Sequence, residues 1–344
     1  MNQPNQNNTD ILDVLTREGV LINVSVRYPR FHKKLKPVDL GLDPDQISDR
    51  LMSLGHKRLL PKEALANLAL CESRAHAIID QSTFPFLGGI GHFLTNTKLA
   101  DVRERLFSQK DRFETACFSF LAEYARHRDD ALNEWRTLAG QICKTTEERE
   151  RLVLQISQSF PPRNLLERRF SFEIRLFQIA VPEHMTIEVL SFADQAEVMR
   201  ARREAAQSAA ADIREGVEGF VSECVTTLRQ ETAKLCDDML ASMREGKTSG
   251  VHQKTLNRLR DFIDRFQALN FANDDEMAAM LGNARQQLLG MTADEYRDNP
   301  TATRSLQDGL SELRDHAHTL ATQDARELVE RFGQMGRRKL QLAS

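Results

Sequence analysis

This 344-residue sequence lacks, over long stretches, the residues that interrupt helices. No proline occurs between Pro182 and Pro300. Aromatic residues make up only 6% of the chain, which has a single tryptophan, Trp135. Such a composition disfavours a β-sandwich and suits a helical bundle whose helices meet along leucine, alanine and phenylalanine.

An excess of charge of one sign is also missing. The chain has 47 Lys and Arg against 50 Asp and Glu, a formal net charge of −3. Overall charge therefore gives no reason to expect nucleic-acid or membrane binding, which would have to come from a local patch. No apolar run reaches the ~18 residues that a single membrane-spanning helix needs.

The five cysteines form no Cys-x-x-Cys pair, and most of them stand at apolar helical positions. This usage predicts reduced, buried thiols in a cytoplasmic protein. The first residues are polar, with neither a basic nor an apolar segment of the kind that a signal peptide has. We therefore expect residues 1–9 to be a disordered tail.

The second half of the chain carries the clearest periodic pattern. From Asp194 to Glu245, apolar residues recur in alternating steps of four and three, at Ala206, Ala210, Ile213, Val217, Phe220 and Cys224. This is the seam of a coiled coil or a long bundle, and a helix of that span is roughly 75–80 Å long. The short segment 246–250 predicts an antiparallel return, so 191–344 is predicted to be a long helical hairpin or bundle. The same seams could join copies of the chain into a homo-oligomer.

Two segments alternate with the period of a β-strand, at 20–28 and at 170–181. An isolated strand is unstable, so we expect these two to pair. Between them, apolar spacing predicts helices at 48–54, 61–80, 98–127 and 131–156. The predicted fold is mainly α, an elongated antiparallel helical bundle or coiled coil with a small two-stranded β element, and its first domain covers 10–190.

A basic run follows the first strand, with no acidic residue from Gly19 to Val38. It comprises Arg27, Arg30, Lys33, Lys34 and Lys36. With Tyr28 and Phe31 among them, these cations could contact phosphates. The alternative, which such runs more often represent, is a solvated loop balanced by the aspartates that follow from Asp39 to Asp49. Those aspartates lack the glycine and glutamate of a calcium loop, so no metal site is predicted there.

Another candidate contact surface is the glycine-rich segment 84–94, which we expect to be a turn. No Gly-Lys-Ser/Thr follows its glycines, so it is not a phosphate-binding loop. If the turn is exposed, Phe86, Leu87, Ile90 and Phe93, flanked by Phe84 and Leu94, form an apolar surface for a partner or a membrane. If it is buried, these side chains are ordinary core residues.

No catalytic, cofactor-binding or metal-binding residue can be assigned from the remaining sequence. His316 and His318 are two positions apart, and on a helix such side chains point to nearly opposite sides. They cannot bind one ion from a single helix. No cofactor is expected.

Several segments of the first half are similar to a known family. They are the strand at 20–26, the sequence Lys34-Leu-Lys-Pro-Val-Asp-Leu-Gly-Leu42, the segments 54–65 and 84–89, and the aromatic helix at 113–124. Together they resemble a bacterial, phage and plasmid family classed as a domain of unknown function. Its genes often lie beside those for a MoxR-type AAA+ ATPase and a VWA-domain protein similar to cobaltochelatase subunits. The resemblance runs through the strand at 170–181.

This resemblance implies an interaction or adaptor protein rather than an enzyme, acting with those two partners in phage defence or another mobile-element function. The expected contact surfaces are the basic run 27–36, the turn at Lys57 and Arg58, and the apolar segment 84–94. Two other hypotheses come from the residues themselves. One is a membrane-active helical protein that exposes 84–94 as its tip, and the other is a weak nucleic-acid binder that uses 27–36.

Overall fold

A computed structural model describes residues 11–40, 53–178, 192–245, 250–323, 325 and 327–332. Most of them are helical, which confirms the predicted mainly α class. The predicted tail 1–9, nearly all of the predicted helix 48–54 and the predicted domain boundary at 190 lie outside the described residues.

Helices and strands follow one another in a mixed order. The helices are α1 (Ile11–Glu18), α2 (Ala66–Ser82), α3 (Asn96–Ile142), α4 (Thr146–Ser159), α5 (Arg163–Leu166), α6 (Phe192–Glu245), α7 (Gln253–Leu269), α8 (Asp275–Leu288), α9 (Ala293–Asp298) and α10 (Pro300–Thr322). The strands are β1 (Gly19–Arg27), β2 (His32–Lys34), β3 (His56–Arg58), β4 (Phe84–Phe86), β5 (Gly91–Thr95) and β6 (Ser171–Phe177).

Contacts divide the chain into two compact units, and neither is a continuous segment. The first unit contains residues 1–22, 82–100 and 176–344, and the second contains 23–81 and 101–175. The chain therefore passes from one unit to the other inside β1, inside α3 and inside β6.

The core of the first unit forms around α6, a helix of 54 residues that confirms the predicted long helix. Arg229 of α6 contacts Leu320 of α10, and Asp237 contacts Arg314, so the two helices run antiparallel. α6 also packs against α1 and α7. Its buried stripe is wider than the two positions per heptad of a coiled-coil seam, as expected of a helix with several neighbours. α10, rather than the return helix α7, is its most extensive partner.

A buried ion pair joins three helices of this unit. Arg229 Nε donates to Asp274 Oδ2 at 2.7 Å, and its Nη1 donates to the Leu320 carbonyl at 2.7 Å. Asp274 also caps α8, because its Oδ1 accepts the Met277 N–H at 3.2 Å. One guanidinium thus fixes α6 to the start of α8 and the end of α10.

The predicted strand pair is part of a larger sheet, with the order β4-β5-β1-β6. β1 and β6 are hydrogen-bonded neighbours, as their alternating patterns predict. β5 pairs antiparallel with β1, from Gly19 opposite Thr95 to Ile22 opposite His92. Gly19 is required at this point, since a Cβ there would lie 2.4 Å from the Leu94 carbonyl oxygen. The segment 84–94 is therefore a β-hairpin of this sheet, and the prediction of a turn between helices was wrong.

The second unit packs its helices around an aromatic core. α3 is continuous for 47 residues, so the predicted break between the helices 98–127 and 131–156 was misplaced. The break falls after Ile142, where Thr145 and Glu148 form a capping box that begins α4. The core rings of this unit belong to Tyr28, Phe31, Phe113, Phe120, Tyr124 and Phe172.

The cysteine prediction is confirmed in that all five thiols are free, four of them buried and Cys143 half-buried. In the part of the chain that the structure describes, no helix combines the length and the apolar character needed to cross a membrane.

Candidate functional site

Two short strands of the second unit bring together basic residues that are far apart in sequence. β2 and β3 pair antiparallel, with His32 opposite Arg58, Lys33 opposite Lys57 and Lys34 opposite His56. We call His32–Lys34 and His56–Arg58 the basic ribbon. Backbone bonds close it at both ends, from the Leu59 N–H to the Phe31 carbonyl at 2.7 Å and from the Leu35 N–H to the Gly55 carbonyl at 3.0 Å.

The two faces of the basic ribbon differ. Side chains opposite each other on paired strands lie on the same face, so Lys33 and Lys57 share one face. The other face carries the exposed side chains of His32, Lys34, His56 and Arg58. On this face, the ring centroids of His32 and His56 are 6.2 Å apart.

Like charges directly opposite each other destabilise a strand pair. On the face that Lys33 and Lys57 share, Asp39 offsets this cost. Lys57 Nζ lies 2.7 Å from Asp39 Oδ1, and the two side chains are only 9% and 2% exposed. Asp39 Oδ2 also accepts the Lys36 N–H at 2.8 Å. Lys57 therefore holds the ribbon in place, and its ammonium is not on the open surface.

The basic ribbon is anchored to the helices by the residue that precedes it. Phe31 has a positive φ of 51°, an uncommon conformation for a non-glycine residue. The strain is compensated by burial, because its ring packs against those of Phe120, Tyr124 and Phe160 at centroid distances of 5.8–6.5 Å. This anchor fixes where the ribbon lies relative to α3.

An apolar groove begins where the ribbon ends. The half-buried Trp135 of α3 donates its Nε1–H to the Arg58 carbonyl at 3.2 Å. Around this bond, Arg58, Leu60, Pro61, Trp135 and Leu138 line a groove of about 330 Å³, and Glu134 also lines it. Leu138 is 39% exposed. A cationic surface thus adjoins an apolar one, with Arg58 belonging to both.

The cations that precede the ribbon are placed differently. Arg27 is exposed and donates to Ser25 Oγ at 3.2 Å. Arg30 lies over the Tyr28 ring at 3.9 Å, bonds its hydroxyl, and forms an ion pair with Glu72 at 2.5 Å. Burial opposes ionisation of Glu72, but hydrogen bonds from Arg30 and Tyr28 outweigh it and hold the pKa of this carboxyl below its ordinary value. The charge of Arg30 is therefore already matched within the chain.

The apolar candidates of 84–94 lie in the first unit, and most of them are buried. Phe86 and Phe93 are 2% and 1% exposed, and both rings pack against Phe220 of α6. Leu87 is half-buried, and it fits the notch that Gly216 leaves in α6, where a Cβ would lie 2.9 Å from a Leu87 methyl. Ile90, at 68% exposure, is on the surface. Of the four candidate side chains in this segment, Ile90 is therefore the one that is mainly exposed.

Charge is distributed unequally between the two units. By sequence, the first unit has 23 Lys and Arg against 30 Asp and Glu, a net −7, while the second has 24 against 20, a net +4. The ribbon therefore belongs to the basic part of an acidic protein. Within the described ranges, no group of His, Cys, Asp and Glu could hold a metal ion. Electrostatic and apolar docking is the chemistry that this arrangement supports.

Sequence reasoning missed two parts of this site. Lys57 and Arg58 were expected to be contact residues, but nothing predicted that they would pair with 32–34, because strands of three residues are too short to show a period. His56 was missed for the same reason. Trp135 and Leu138 had a weak signal, since large apolar side chains at these positions interrupt an otherwise polar helical surface.

Comparison with known proteins gives one match. A family profile described as "Protein of unknown function (DUF3150)" matches residues 16–219, which is more than half of the chain and includes the basic ribbon and the groove. No curated protein and no solved structure matches the chain.

Proposed function

The chain belongs to the DUF3150 family, and from this premise we propose that it is a non-enzymatic interaction protein whose basic ribbon and adjoining groove dock an acidic segment of a protein partner. The observation that carries this proposal is the junction at Arg58. There, an exposed cationic face meets a groove lined by Trp135, Leu60 and Leu138.

A partner segment that fits both surfaces has a defined chemistry. Its carboxylates face Lys34 and Arg58, while an apolar side chain enters the groove beside Trp135. Interfaces of this kind are enriched in Trp and Arg near their centres, whereas charges at the rim mainly set the rate of association. The excess of Lys and Arg in the second unit favours an acidic partner over a basic one.

The proposed partners are the MoxR-type AAA+ ATPase and the VWA-domain protein that the resemblance implies, acting in the cytoplasm in phage defence or another mobile-element function. The antiparallel contact of α6 with α10 supports the proposal that the first unit is a coiled-coil-like bundle, which could also join copies of the chain. The docking surface proposed here lies in the second unit and does not depend on that assembly.

Co-purification from the native operon tests the proposal. The bait is the full chain, either wild type or with the ribbon reversed by Lys33→Glu, Lys34→Glu and Arg58→Glu. We expect wild type to retain the ATPase or the VWA-domain protein, with or without ATP. The reversed chain should lose about tenfold or more of the retained partner, because it opposes like charges across the interface.

The matched control reverses three lysines elsewhere in the second unit, by Lys62→Glu, Lys110→Glu and Lys144→Glu. It changes the net charge by the same amount and should retain the partner. Equal loss in both triple variants would show that only overall charge matters. Failure of wild type to retain either neighbour would contradict the proposed partners.

Nucleic-acid binding is the second candidate, and the continuous basic face of His32, Lys34, His56 and Arg58 favours it. Since Lys57 and Arg30 are already matched by carboxylates, few phosphates can be neutralised. Any binding should therefore be weak and salt-dependent. A gel shift at low salt that disappears with Lys34→Glu and Arg58→Glu would support this function, and a shift that persists would place the binding elsewhere.

A further inference from the structure

The two edges of the four-stranded sheet differ in how well they are protected. The strand order is β4-β5-β1-β6, so β4 and β6 are the edge strands. β4 has three residues with Pro85 at their centre, and a proline cannot donate a hydrogen bond to a neighbouring strand. β6 has seven residues and no proline. Among the residues that the structure describes, no strand pairs with the outer side of β6, which makes that side a template for one more strand.

The charges on β6 favour a second copy of the chain as that strand. Proteins often keep edge strands apart with charged side chains, lysines above all. β6 carries one charge of each sign, Glu173 and Arg175, which lie on the same face and form an ion pair. In an antiparallel pair of two β6 strands centred on Ile174, Glu173 lies directly opposite Arg175 of the second copy. Two-fold symmetry repeats this contact, so β6 is complementary to itself in charge.

The register centred on Ile174 is better than its neighbours. In a symmetric antiparallel pair, facing residues must both direct their backbone groups outward, so the centre moves by one residue between allowed registers. A centre at Glu173 places two glutamates opposite each other, and a centre at Arg175 places two arginines there. Both arrangements destabilise a strand pair. The centre at Ile174 instead brings Leu176, which is 50% exposed, opposite the buried Phe172 of the second copy.

We propose that two copies of the chain associate by antiparallel pairing of their β6 edges, centred on Ile174. Backbone hydrogen bonds hold the two strands together, and the two Glu173–Arg175 contacts between copies fix the register. Each copy contributes the seven residues of β6, whereas a standard interface has about 20–30 residues a side, so the dimer should form at micromolar concentrations. This surface is separate from the basic ribbon and its groove.

Sedimentation equilibrium of the full chain, up to about 100 μM, tests this pairing. We expect wild type to show a monomer–dimer equilibrium. Glu173→Arg would place arginines opposite each other at both contacts, and Arg175→Glu would place glutamates there. Each variant should therefore dimerise about tenfold more weakly, or less well still. The matched control is Glu123→Arg, which makes the same charge change at the surface ion pair with Arg126 of α3 and should dimerise as wild type does.

Exchanging both charges separates strand pairing from a structural defect. The double variant with Glu173→Arg and Arg175→Glu regains complementary contacts, so it should dimerise as wild type does. An equimolar mixture of the two single variants should form a mixed dimer for the same reason. The proposal is overturned if wild type stays monomeric over the whole concentration range, or if the double variant does not recover. It is also overturned if the single variants dimerise as wild type does, because the copies would then meet at another surface.

Discussion

Replacing Arg229 by methionine should strongly destabilise the first unit. The side chains of Arg229 and Asp274 are 5% and 3% exposed, so the ion pair is shielded from water. Methionine fills much of the same volume but leaves Asp274 Oδ2 and the Leu320 carbonyl without the N–H donors that Arg229 supplies. Breaking a buried pair on one side costs about 3–5 kcal/mol of the free energy of unfolding.

A double-mutant cycle measures the coupling free energy between Arg229 and Asp274. Asp274→Asn keeps an oxygen that can cap α8 and removes the charge. In the double variant, which carries Arg229→Met and Asp274→Asn, the second substitution no longer breaks an intact pair. The double variant should therefore lose less free energy of unfolding than the two single variants added together, by about 1–3 kcal/mol. Arg229→Lys should rescue little, since an ammonium cannot reproduce the fork that reaches both acceptors.

Urea unfolding followed by two signals provides the assay. Far-UV circular dichroism reports the helices of both units, whereas fluorescence reports the second unit, where the only tryptophan, Trp135, lies. We expect Arg229→Met to lower the midpoint of the dichroism transition more than that of the fluorescence transition. If Arg229→Met changed the free energy of unfolding by less than about 0.5 kcal/mol, which is the usual effect of a surface substitution, the reasoning would be refuted. Strict additivity of the two single changes would also refute it.

Two further predictions concern the hairpin and the tyrosines. Phe93→Asp should lower the free energy of unfolding by about 4 kcal/mol or more, because it buries an unpaired charge. Ile90→Asp should change it by less than about 0.5 kcal/mol. Similar denaturation midpoints for the two variants would contradict the packing of the hairpin. Burial raises the pKa of Tyr28 and of Tyr124 to about 12. The unfolded value is about 10, so their contribution to stability is complete below pH 10 and is lost as the pH rises through 12. Phenolate absorbance rising with a midpoint near pH 10, while the helical dichroism is unchanged, would contradict this prediction.

Helices and strands with long periodic patterns were predictable from the sequence. The seam from Ala206 to Cys224 predicted α6, and the alternation at 20–28 and 170–181 predicted two strands that are neighbours in the sheet. Both patterns extend over enough residues for the period to show, and the burial of an apolar face maintains each of them.

The hairpin at 84–95 was missed because its signals conflict. Phe84 and Phe86 alternate as in a strand, but the glycines that follow indicate a turn, and each arm has five residues or fewer. Burial of these rings depends on Phe220 and Phe271, which lie more than a hundred residues further along the chain. Local sequence carries no information about such a contact.

The candidate site was predictable only in part. The sequence identified its cations individually, but whether a cation is available depends on its partner in space. Asp39 holds Lys57 and Glu72 holds Arg30, whereas Arg58 remains at the junction with the groove. The division into two units was also hidden, because β1 and α3 each continue from one unit into the other.

Fluorine NMR of the full chain, with 5-fluorotryptophan at the only tryptophan, Trp135, tests the proposed docking surface most directly. The label reports the groove alone, even when the unlabelled MoxR-type ATPase or VWA-domain protein is added. The account predicts that the resonance shifts or broadens as partner is added. No such change should occur in the chain carrying Lys33→Glu, Lys34→Glu and Arg58→Glu. An unchanged resonance in wild type, in a sample where size-exclusion chromatography shows the complex has formed, would contradict docking at this groove.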